Sequence, residues 1–270
     1  MSAAVTFIIP VRHPDNARDW GALKTNLAQT IASIANQTSD DWRAIIVANE
    51  QADLPALPER FSVERVTFPP NDLHERGGAE LEDFLEAFRF DKGRRVLKGM
   101  LRARDSRYFM IVDDDDFVSA RIVDHAVAHA SENGWMINRG YVWNDGGRLL
   151  LEHDDFNQLC GTSLIIRSDL YNLPRQFDDA DCDWIKAMLG SHVRIAGILA
   201  EGGTPLAALP FHGAVYRVAH AGSHSTAPSL LRTYFLSTEA MRRPGRMLRR
   251  ACQLRWLSRK LRREFFGDRA

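Results

Sequence analysis

Apolar residues in the first 120 positions form short continuous runs separated by stretches with helical spacing. Continuous runs predict buried strands, because the strands of a parallel sheet are covered on both faces. The predicted strands are Val5–Val11, Ala44–Ala48, Val63–Phe68 and Tyr108–Val112. Leu23–Ala35 and Val96–Ala103 carry apolar residues at helical spacing. Strands that alternate with helices predict βαβ units, so we expect an α/β fold with a mostly parallel central sheet flanked by helices.

The pattern beyond residue 120 is mixed. The predicted helices are Ile122–Ala130 and Asp181–Leu189, the predicted strands are Trp135–Trp143, Ser163–Ile166 and Val193–Ile198, and residues 211–225 are expected to be loop. Pro228 precedes a segment with helical spacing, and a proline often marks such a limit. We therefore expect one large domain at residues 1–227 and a helical C-terminal tail at residues 228–270.

The formal net charge of the chain is zero, yet residues 242–270 hold eleven Arg or Lys and only two acidic residues. Apolar residues recur there at spacings of three and four, which predicts a basic amphipathic helix over residues 242–266. The apolar positions are Met247, Ala251, Leu254, Leu257, Leu261 and Phe265. Such a helix can lie on an anionic membrane surface, form a homo-oligomer contact, or pack on its own domain. The acidic remainder of the chain argues against a nucleic-acid partner.

Composition places the chain among globular proteins with a large core, since 45% of its residues are apolar and 26% are charged. Its apolar runs are too short to span a bilayer, and its start lacks the features of a signal peptide. Cys160, Cys182 and Cys252 lack metal-binding spacing, so we expect unpaired thiols and no zinc site. These features predict a cytoplasmic protein, peripheral at the inner face of the plasma membrane if the tail binds lipid.

Four consecutive aspartates, residues 113–116, follow directly after the predicted strand Tyr108–Val112. Open α/β sheets bind ligands at the carboxyl ends of their strands. Four crowded carboxylates repel one another unless they share a cation, and Mg²⁺ and Mn²⁺ favour oxygen ligands such as carboxylates and substrate phosphates. The sequence therefore predicts a divalent cation that holds a diphosphate. The alternative is a solvated acidic turn in which Asp116 caps the next helix.

Three segments in the first half carry a family resemblance: Ile9–Val11, residues 33–38 and Trp42–Val47. Together they look like the start of a family-two glycosyltransferase with the Rossmann-like GT-A fold. Tyr108–Ser119 is similar to the acidic signature of that family, in which an Asp-x-Asp motif holds the metal of a nucleotide-sugar. The likeness covers about residues 5–225. It implies a nucleotide-binding half at about residues 1–118 and an acceptor half at residues 119–227.

The resemblance implies a metal-dependent, inverting transferase. Such an enzyme moves a sugar from a nucleotide-diphosphate-sugar to a hydroxyl acceptor, here in bacterial surface polysaccharide or glycolipid synthesis. One departure concerns the nucleotide: the chain has Asn49-Glu50-Gln51 where the family often has acidic residues and a glycine. Two other functions stay open. A sugar nucleotidyltransferase usually carries a glycine-rich basic loop after the first strand, which residues 12–16 lack, and a catalytically silent nucleotide-sugar-binding protein would keep the same fold.

Within the resemblance, Asp113 and Asp115 form the Asp-x-Asp pair, and residues two apart in an extended segment can point at one ion. Asp115 is the expected ligand of Mn²⁺ or Mg²⁺, and Asp113 is expected to contact the ribose, the metal or a metal-bound water. The family commonly adds a C-terminal histidine as a metal ligand. The candidates, in order, are His220, His224 and His212.

Donor contacts are expected from the ends of neighbouring strands and from the start of the helix that follows residue 91. Basic side chains at a helix start offer cations and N–H groups to phosphate. The candidate donor-binding residues are Pro10, Arg12, Asn49, Lys92, Arg95, Asp113, Asp114 and Gly161. Gly161 belongs to a small-residue stretch that resembles the family's floor beneath the donor sugar, where a glycine allows close backbone approach.

An inverting transfer requires a carboxylate that takes the proton from the acceptor hydroxyl. The acidic segment Phe177–Trp184 is similar to the family's acidic segment at the start of a helix. Asp181 matches the position of the base best, and Asp183 is the second candidate. Helix capping is the alternative explanation for some of the carboxylates in this segment.

Overall fold

The computed structural model describes residues 3–74, 80–219 and 250–267. Two sheets organise these residues. The larger one contains seven strands: β1 (Val5–Pro10), β2 (Trp42–Asn49), β3 (Phe61–Val66), β4 (Tyr108–Ile111), β6 (Gly134–Met136), β9 (Leu164–Arg167) and β10 (Ala207–Ala208). The smaller one contains five: β5 (Phe117–Val118), β7 (Arg139–Asn144), β8 (Leu149–Asp154), β11 (Ala214–Val218) and β12 (Leu254–Trp256).

The central sheet has the strand order β3-β2-β1-β4-β9-β6-β10. β1 pairs in parallel with β2 and β4, β2 pairs in parallel with β3, and β6 pairs in parallel with β10. β9 runs antiparallel to its neighbours β4 and β6. The predicted α/β fold with a mostly parallel central sheet is therefore confirmed.

Helices cover both faces of this sheet. They are α1 (Trp20–Ala35), α2 (Leu81–Arg102), α3 (Ile122–Ala128), α4 (Phe156–Leu159), α5 (Cys182–Trp184), α6 (His192–Glu201) and α7 (Arg259–Phe265). A π-helical turn at Ile185–Leu189 continues α5. Phe7 and Ile9 of β1 pack in one core with α1, whereas Ile8 packs in a second core with α2. β1 is thus covered on both faces, which explains its unbroken apolar sequence.

The segment at residues 33–38 carries part of the family resemblance. It connects the end of α1 by hydrogen bonds to residues 118 and 119, which follow the acidic cluster. The Ser33 hydroxyl accepts from the Val118 N–H at 2.9 Å and donates to the Val118 carbonyl at 3.1 Å. Gln37 Nε2 donates to the Ser119 carbonyl at 2.9 Å. β5 is the edge strand of its sheet, so these buried side chains satisfy backbone groups of Val118 and Ser119 that have no neighbouring strand.

Two strand predictions in the second half are wrong. Val193–Ile198 was expected as a strand, but it lies within the helix α6. Ile195 and Leu199, four residues apart, are the buried positions of that helix, so the period is helical. Trp135–Trp143 was expected as one strand, but it divides into β6 and β7, which belong to different sheets.

The expected loop at residues 211–225 contains the strand β11, which lies between β7 and β5 in the smaller sheet. A strand of five residues between two partners is stabilised by main-chain hydrogen bonds on both sides, whatever the local content of glycine and histidine. Residues 220–225 of that prediction lie outside the described residues.

The continuous amphipathic helix expected over residues 242–266 is also wrong in its described part. β12 pairs antiparallel with β8, and the shorter helix α7 follows it. Leu257 and Phe265 are buried against Phe117, Tyr141 and Trp143, so they pack on their own domain. No helix within the described ranges is both long and apolar enough to cross a bilayer.

We predict that Ser33→Ala lowers the free energy of unfolding by about 1–3 kcal/mol, because the N–H and carbonyl of Val118 lose their buried partner. Thr25→Ala on the same helix is the matched control: its hydroxyl is exposed, and we expect a change within about 0.5 kcal/mol. Urea unfolding followed by circular dichroism measures both. Equal effects of the two substitutions would contradict the assigned role of Ser33.

Candidate active site

A cleft of about 210 Å³ opens at the carboxyl ends of β1 and β4. This is the edge at which open α/β sheets bind ligands. Among its walls are seven residues that the sequence predicted: Pro10, Arg12, Lys92, Arg95, Asp113, Asp114 and Asp115. Other wall residues had no predicted role: Asn16, Asn71, His74, Phe88, Asp91 and Tyr216. The fold therefore brings the acidic cluster and two basic residues of α2 to one place. Lys92 and Arg95 were expected at the start of a helix, but they lie in the middle of α2, which begins at Leu81, so its N-terminal N–H groups are not beside them.

The four aspartates lie in different surroundings. Asp113 and Asp115 are half-buried and line the cleft, whereas Asp114 and Asp116 are buried. A turn after β4 produces this alternation, since the Asp116 N–H donates to the Asp113 carbonyl at 3.2 Å. Asp114 also borders the cleft, where its Oδ1 lies 3.9 Å from the guanidinium of Arg12. The two residues expected to bind one metal ion thus both face the cleft.

Asp113 is paired with Lys92, whose ammonium lies 2.5 Å from Asp113 Oδ1. Burial lowers the pKa of Lys92, but Asp113, together with Cys160 and Asp116, raises it by more, so the pKa is above its ordinary value and the ammonium stays charged. Gly161 lies against this pair: a Cβ there would come within 2.6 Å of Asp113 Oδ2 and 2.8 Å of Lys92 Nζ. A side chain at position 161 would displace one of these groups.

Asp116 is fully buried behind the cleft and accepts three hydrogen bonds. The Thr162 hydroxyl and the Cys160 thiol donate to its Oδ2, at 2.6 and 3.1 Å. The backbone N–H of Arg217 donates to its Oδ1 at 3.3 Å. Asp116 therefore joins the end of β4, the segment before β9 and the strand β11.

The burial of Asp116 has chemical consequences. It raises the pKa of Asp116 well above its ordinary value, and the charges of Asp115 and Asp113 raise it further. Burial also raises the pKa of the Cys160 thiol, so this cysteine is a poor nucleophile and packs as a small buried group. Asp116 does not cap the next helix, because α3 begins only at Ile122. The alternative of a simple capping turn is therefore wrong.

The cleft supplies oxygen ligands for a divalent cation without a complete protein cage. Asp113 and Asp115 contribute carboxylates, and no group of three or more His, Cys, Asp or Glu side chains poised to hold a metal occurs in the part of the chain that the structure describes. Mg²⁺ commonly binds one or two carboxylates and fills its other positions with water and substrate phosphates. This donor set therefore fits a hard cation that binds together with a diphosphate.

Arg95 and Asn49 form a buried support beside the cleft. Arg95 is 1% exposed, donates to Asn49 Oδ1 at 2.8 Å, and pairs with Asp91 Oδ2 at 3.2 Å. Asn49 Nδ2 donates to the Phe68 carbonyl at 2.7 Å. Both ends of the Asn49 amide thus bind protein groups, and Asn49 is not part of the cleft wall. Its position suits it to hold Arg95 in place rather than to contact a nucleotide.

Asp181 and Asp183, the two predicted bases, lie outside the cleft wall. Asp181 is the N-cap of α5, where its Oδ1 accepts the N–H groups of Asp183 at 2.9 Å and Trp184 at 3.0 Å. The Asp183 carboxylate is exposed and pairs with Lys186 at 3.1 Å. Helix capping thus accounts for the present position of Asp181, and its role as a base stays a prediction.

The histidines considered as metal ligands have no described place in the cleft. His220 and His224 lie outside the described residues. His212 stacks on Tyr141 with 4.5 Å between ring centroids, and its Nε2 lies 3.6 Å from Glu152. Burial lowers the pKa of His212. These contacts lie on the smaller sheet, so the structure does not favour His212 as a metal ligand. The described part of the chain also favours no other histidine as a replacement for His220.

The outer wall of the cleft was not predicted. Asn16 Nδ2 donates to the Asn71 carbonyl at 3.1 Å, and the Asn71 N–H donates to Asn16 Oδ1 at 2.8 Å. His74 Nδ1 lies 2.9 Å from the same carbonyl. These bonds connect the loop after β1 to the loop after β3. Each asparagine indicates a turn in the sequence, but only the fold shows that the two turns meet.

A smaller cavity borders Lys92 and Gly161, so it adjoins the ion pair between Lys92 and Asp113 in the cleft. His192, the first residue of α6, is part of its wall, and no hydrogen-bond partner for the buried His192 Nε2 occurs within the described ranges. Burial lowers the pKa of His192 to about 4, and the charge of Lys92 lowers it further. A neutral imidazole can accept a hydrogen bond from a ligand hydroxyl. His192 had no predicted role, because the segment that follows it was expected to be a strand.

No family model and no curated protein matches this chain. Among the solved structures similar to it is Staphylococcus aureus TarS 1–349, with a TM-score of 0.46 and 12% identity. That match covers 80% of this chain and 60% of TarS 1–349, so the chain spans less than two thirds of it.

Two further solved structures are similar. The manganese complex of Rv0371C from Mycobacterium tuberculosis H37Rv has a TM-score of 0.33 and 10% identity, over 81% of this chain and 91% of its own. A protein named as a nucleotide-diphospho-sugar transferase from Desulfovibrio desulfuricans G20 has a TM-score of 0.37 and 12% identity, over 92% and 98%. Every one of these TM-scores is below 0.5, so these likenesses carry no argument about the function of this chain.

We predict that Thr162→Val lowers the free energy of unfolding by about 2–4 kcal/mol, because one hydroxyl serves both Asp116 and the backbone N–H of Asp113. Thr162→Ser keeps the hydroxyl and loses only a buried methyl group, so we expect a cost of about 1 kcal/mol. Chemical unfolding of the three proteins provides the comparison. A serine variant as unstable as the valine variant would show that packing, not hydrogen bonding, is what Thr162 contributes.

Proposed function

We propose that this chain is a metal-dependent, inverting glycosyltransferase that moves a sugar from a nucleotide-diphosphate-sugar to a hydroxyl acceptor. The observation that supports it best is the meeting of Asp113, Asp115 and Lys92 in one cleft at the carboxyl edge of the sheet. Carboxylates suit a hard divalent cation, and an ammonium group suits phosphate oxygens. A solvated acidic turn would need neither the cleft nor the buried lysine.

The cleft residues have separable proposed roles. Asp115 and Asp113 would hold Mn²⁺ or Mg²⁺, with His220 as the proposed further ligand. The bound cation supplies neutralisation of negative charge as the nucleotide diphosphate leaves. Lys92 and Arg12 provide positive charge on the cleft wall for the donor. Gly161 leaves room for the Asp113 carboxylate and the Lys92 ammonium, and its contact with a donor sugar is proposed on the family resemblance alone.

The acceptor hydroxyl must lose a proton as it attacks, and general-base catalysis contributes about 10²–10⁴-fold to such reactions. We propose Asp181 as the base, with Asp183 as the second candidate, on the family resemblance of their segment. Their carboxylates are exposed at the start of α5, where an acceptor from solvent can reach them.

For the acceptor we propose a bacterial surface glycan or its lipid carrier, reached through peripheral membrane contact. The described C-terminal residues offer exposed basic side chains on α7 and Trp256, which is 61% exposed on β12. Tryptophan and basic residues favour the interface of anionic membranes. Because Leu257 and Phe265 are buried in protein, this contact would not use the apolar helical stripe that the sequence suggested.

We predict that Asp115→Asn abolishes Mn²⁺-dependent stabilisation by the donor and slows sugar transfer by about 100-fold or more, because the cation loses a charged ligand. A panel of nucleotide-sugars, screened by thermal unfolding with and without Mn²⁺, identifies the donor, since a ligand selective for the folded form raises the melting temperature. Release of nucleoside diphosphate then measures turnover.

Asp83→Asn is the matched control for this substitution, since Asp83 is an exposed aspartate in the first turn of α2, outside the cleft wall. We expect it to behave as the unaltered protein. Full metal-dependent transfer by the Asp115→Asn variant would refute the proposed site. Donor binding without nucleotide release in the unaltered protein would instead favour a catalytically silent binding protein.

We predict that Asp181→Asn slows transfer to the acceptor by about 100-fold while donor binding and thermal stability stay unchanged. Asparagine caps a helix as well as aspartate does, so this substitution removes a base without removing the N-cap. Asp183→Asn, tested in parallel, distinguishes the two candidates. Undiminished transfer by both variants would eliminate this segment as the source of the base.

A further inference from the structure

Lys92 fills the space beside Asp113 that a metal ion would need. Its Nζ lies 2.5 Å from Asp113 Oδ1, and its side chain is only 16% exposed. Lys92 also borders both the main cleft and the smaller cavity. In the free protein, therefore, a cation of the chain itself already neutralises one of the two carboxylates expected to bind metal.

The surroundings leave Lys92 as the movable member of this pair. The backbone N–H of Asp113 donates to Thr162 Oγ1 at 2.9 Å, which fixes the backbone at this residue. Gly161 lies beside Asp113 Oδ2 and limits the movement of the carboxylate on that side. Lys92 ends in a flexible four-carbon stem that can turn within the cleft. A divalent cation and an ammonium at one carboxylate repel each other, so metal binding to Asp113 requires the ammonium to move away.

We infer that Lys92 is an exchangeable counter-ion: it neutralises Asp113 in the free protein and transfers to the diphosphate when metal and diphosphate bind together. This inference rests on the proposed function, and it adds that the binding of metal and the binding of diphosphate are coupled through Lys92. Metal alone must displace the ammonium from Asp113 without supplying a new anion for it. Metal with diphosphate offers that ammonium a new partner, so each of the two ligands strengthens the binding of the other.

The experiment measures Mn²⁺ binding by calorimetry, with and without inorganic pyrophosphate, in the full-length protein. For the unaltered protein we expect weak binding of Mn²⁺ alone and an affinity for Mn²⁺ at least about tenfold higher at saturating pyrophosphate, corrected for the complex that forms in solution. For Lys92→Met we expect Mn²⁺ alone to bind about tenfold more tightly than to the unaltered protein. Pyrophosphate should then raise the Mn²⁺ affinity of this variant far less.

Lys98→Met is the matched control. Lys98 lies on the same helix, with its Nζ 4.2 Å from the centre of the Phe177 ring and outside the cleft wall. We expect it to bind Mn²⁺ as the unaltered protein does. Lys92→Arg, which keeps the charge, should retain the weak binding of Mn²⁺ alone. Lys92→Gln replaces the methionine variant if circular dichroism shows that the latter is unfolded.

The possible results separate the inference from the function on which it rests. If the unaltered protein binds no Mn²⁺ even with pyrophosphate, the proposed metal-dependent function fails. If the unaltered protein binds both together but Lys92→Met and Lys92→Gln bind Mn²⁺ alone no more tightly, the exchange role of Lys92 is overturned and the metal site stands. Tighter binding by these variants together with unchanged binding by Lys92→Arg supports the exchange.

Discussion

The buried carboxyl of Asp116 holds the two sheets together at the point where the cleft forms. It follows β4 of the central sheet, and it accepts hydrogen bonds from Thr162, just before β9, and from the backbone of Arg217 in β11. A buried carboxyl is costly unless such partners satisfy it, so its three surrounding segments must adopt one arrangement. Asp113 and Asp115 lie between this fixed point and the end of β4, and their orientation toward the cleft depends on it.

The same arrangement explains how four adjacent aspartates can coexist. In one uniform environment their charges would repel one another. Here Asp113 faces an ammonium, Asp114 lies near a guanidinium, and burial raises the pKa of Asp116. The fold thus places four identical residues in different surroundings, and these give them different roles. Asp116 has a structural task, while Asp113 and Asp115 face the space where a ligand can bind.

The sequence predicts the parts of this fold in which one local pattern decides the outcome. β1, β2 and β4 are covered on both faces, so each is a continuous apolar run, and the α/β fold follows from their alternation with helices. Five of the predicted cleft-wall residues lie at or just after strand ends, and the rule that ligands bind there accounts for them: Pro10, Arg12, Asp113, Asp114 and Asp115. Lys92 and Arg95 come from α2 and were predicted from their positive charge instead. The predictions that failed concern segments whose local pattern is ambiguous or whose structure depends on contacts distant in the chain. α6 was mistaken for a strand because its apolar residues are too close together to reveal their period, and β12 forms because β8 offers it an edge.

Some of the residues that carry the family resemblance support the fold, and others face the cleft where chemistry can occur. Ser33 and Gln37 form hydrogen bonds with the backbone of β5 and of the residue after it, so they maintain the frame around the cleft. Asn49, where the chain departs from the family, supports the same frame by binding Arg95. Their hydrogen bonds would persist in a protein that had lost all activity. The acidic residues of the cleft are different, because the repulsion between Asp113 and Asp115 is a cost that folding alone does not require. The same frame could therefore exist without them, and it is the charges in the cleft, rather than the likeness of the frame, that argue for an enzyme.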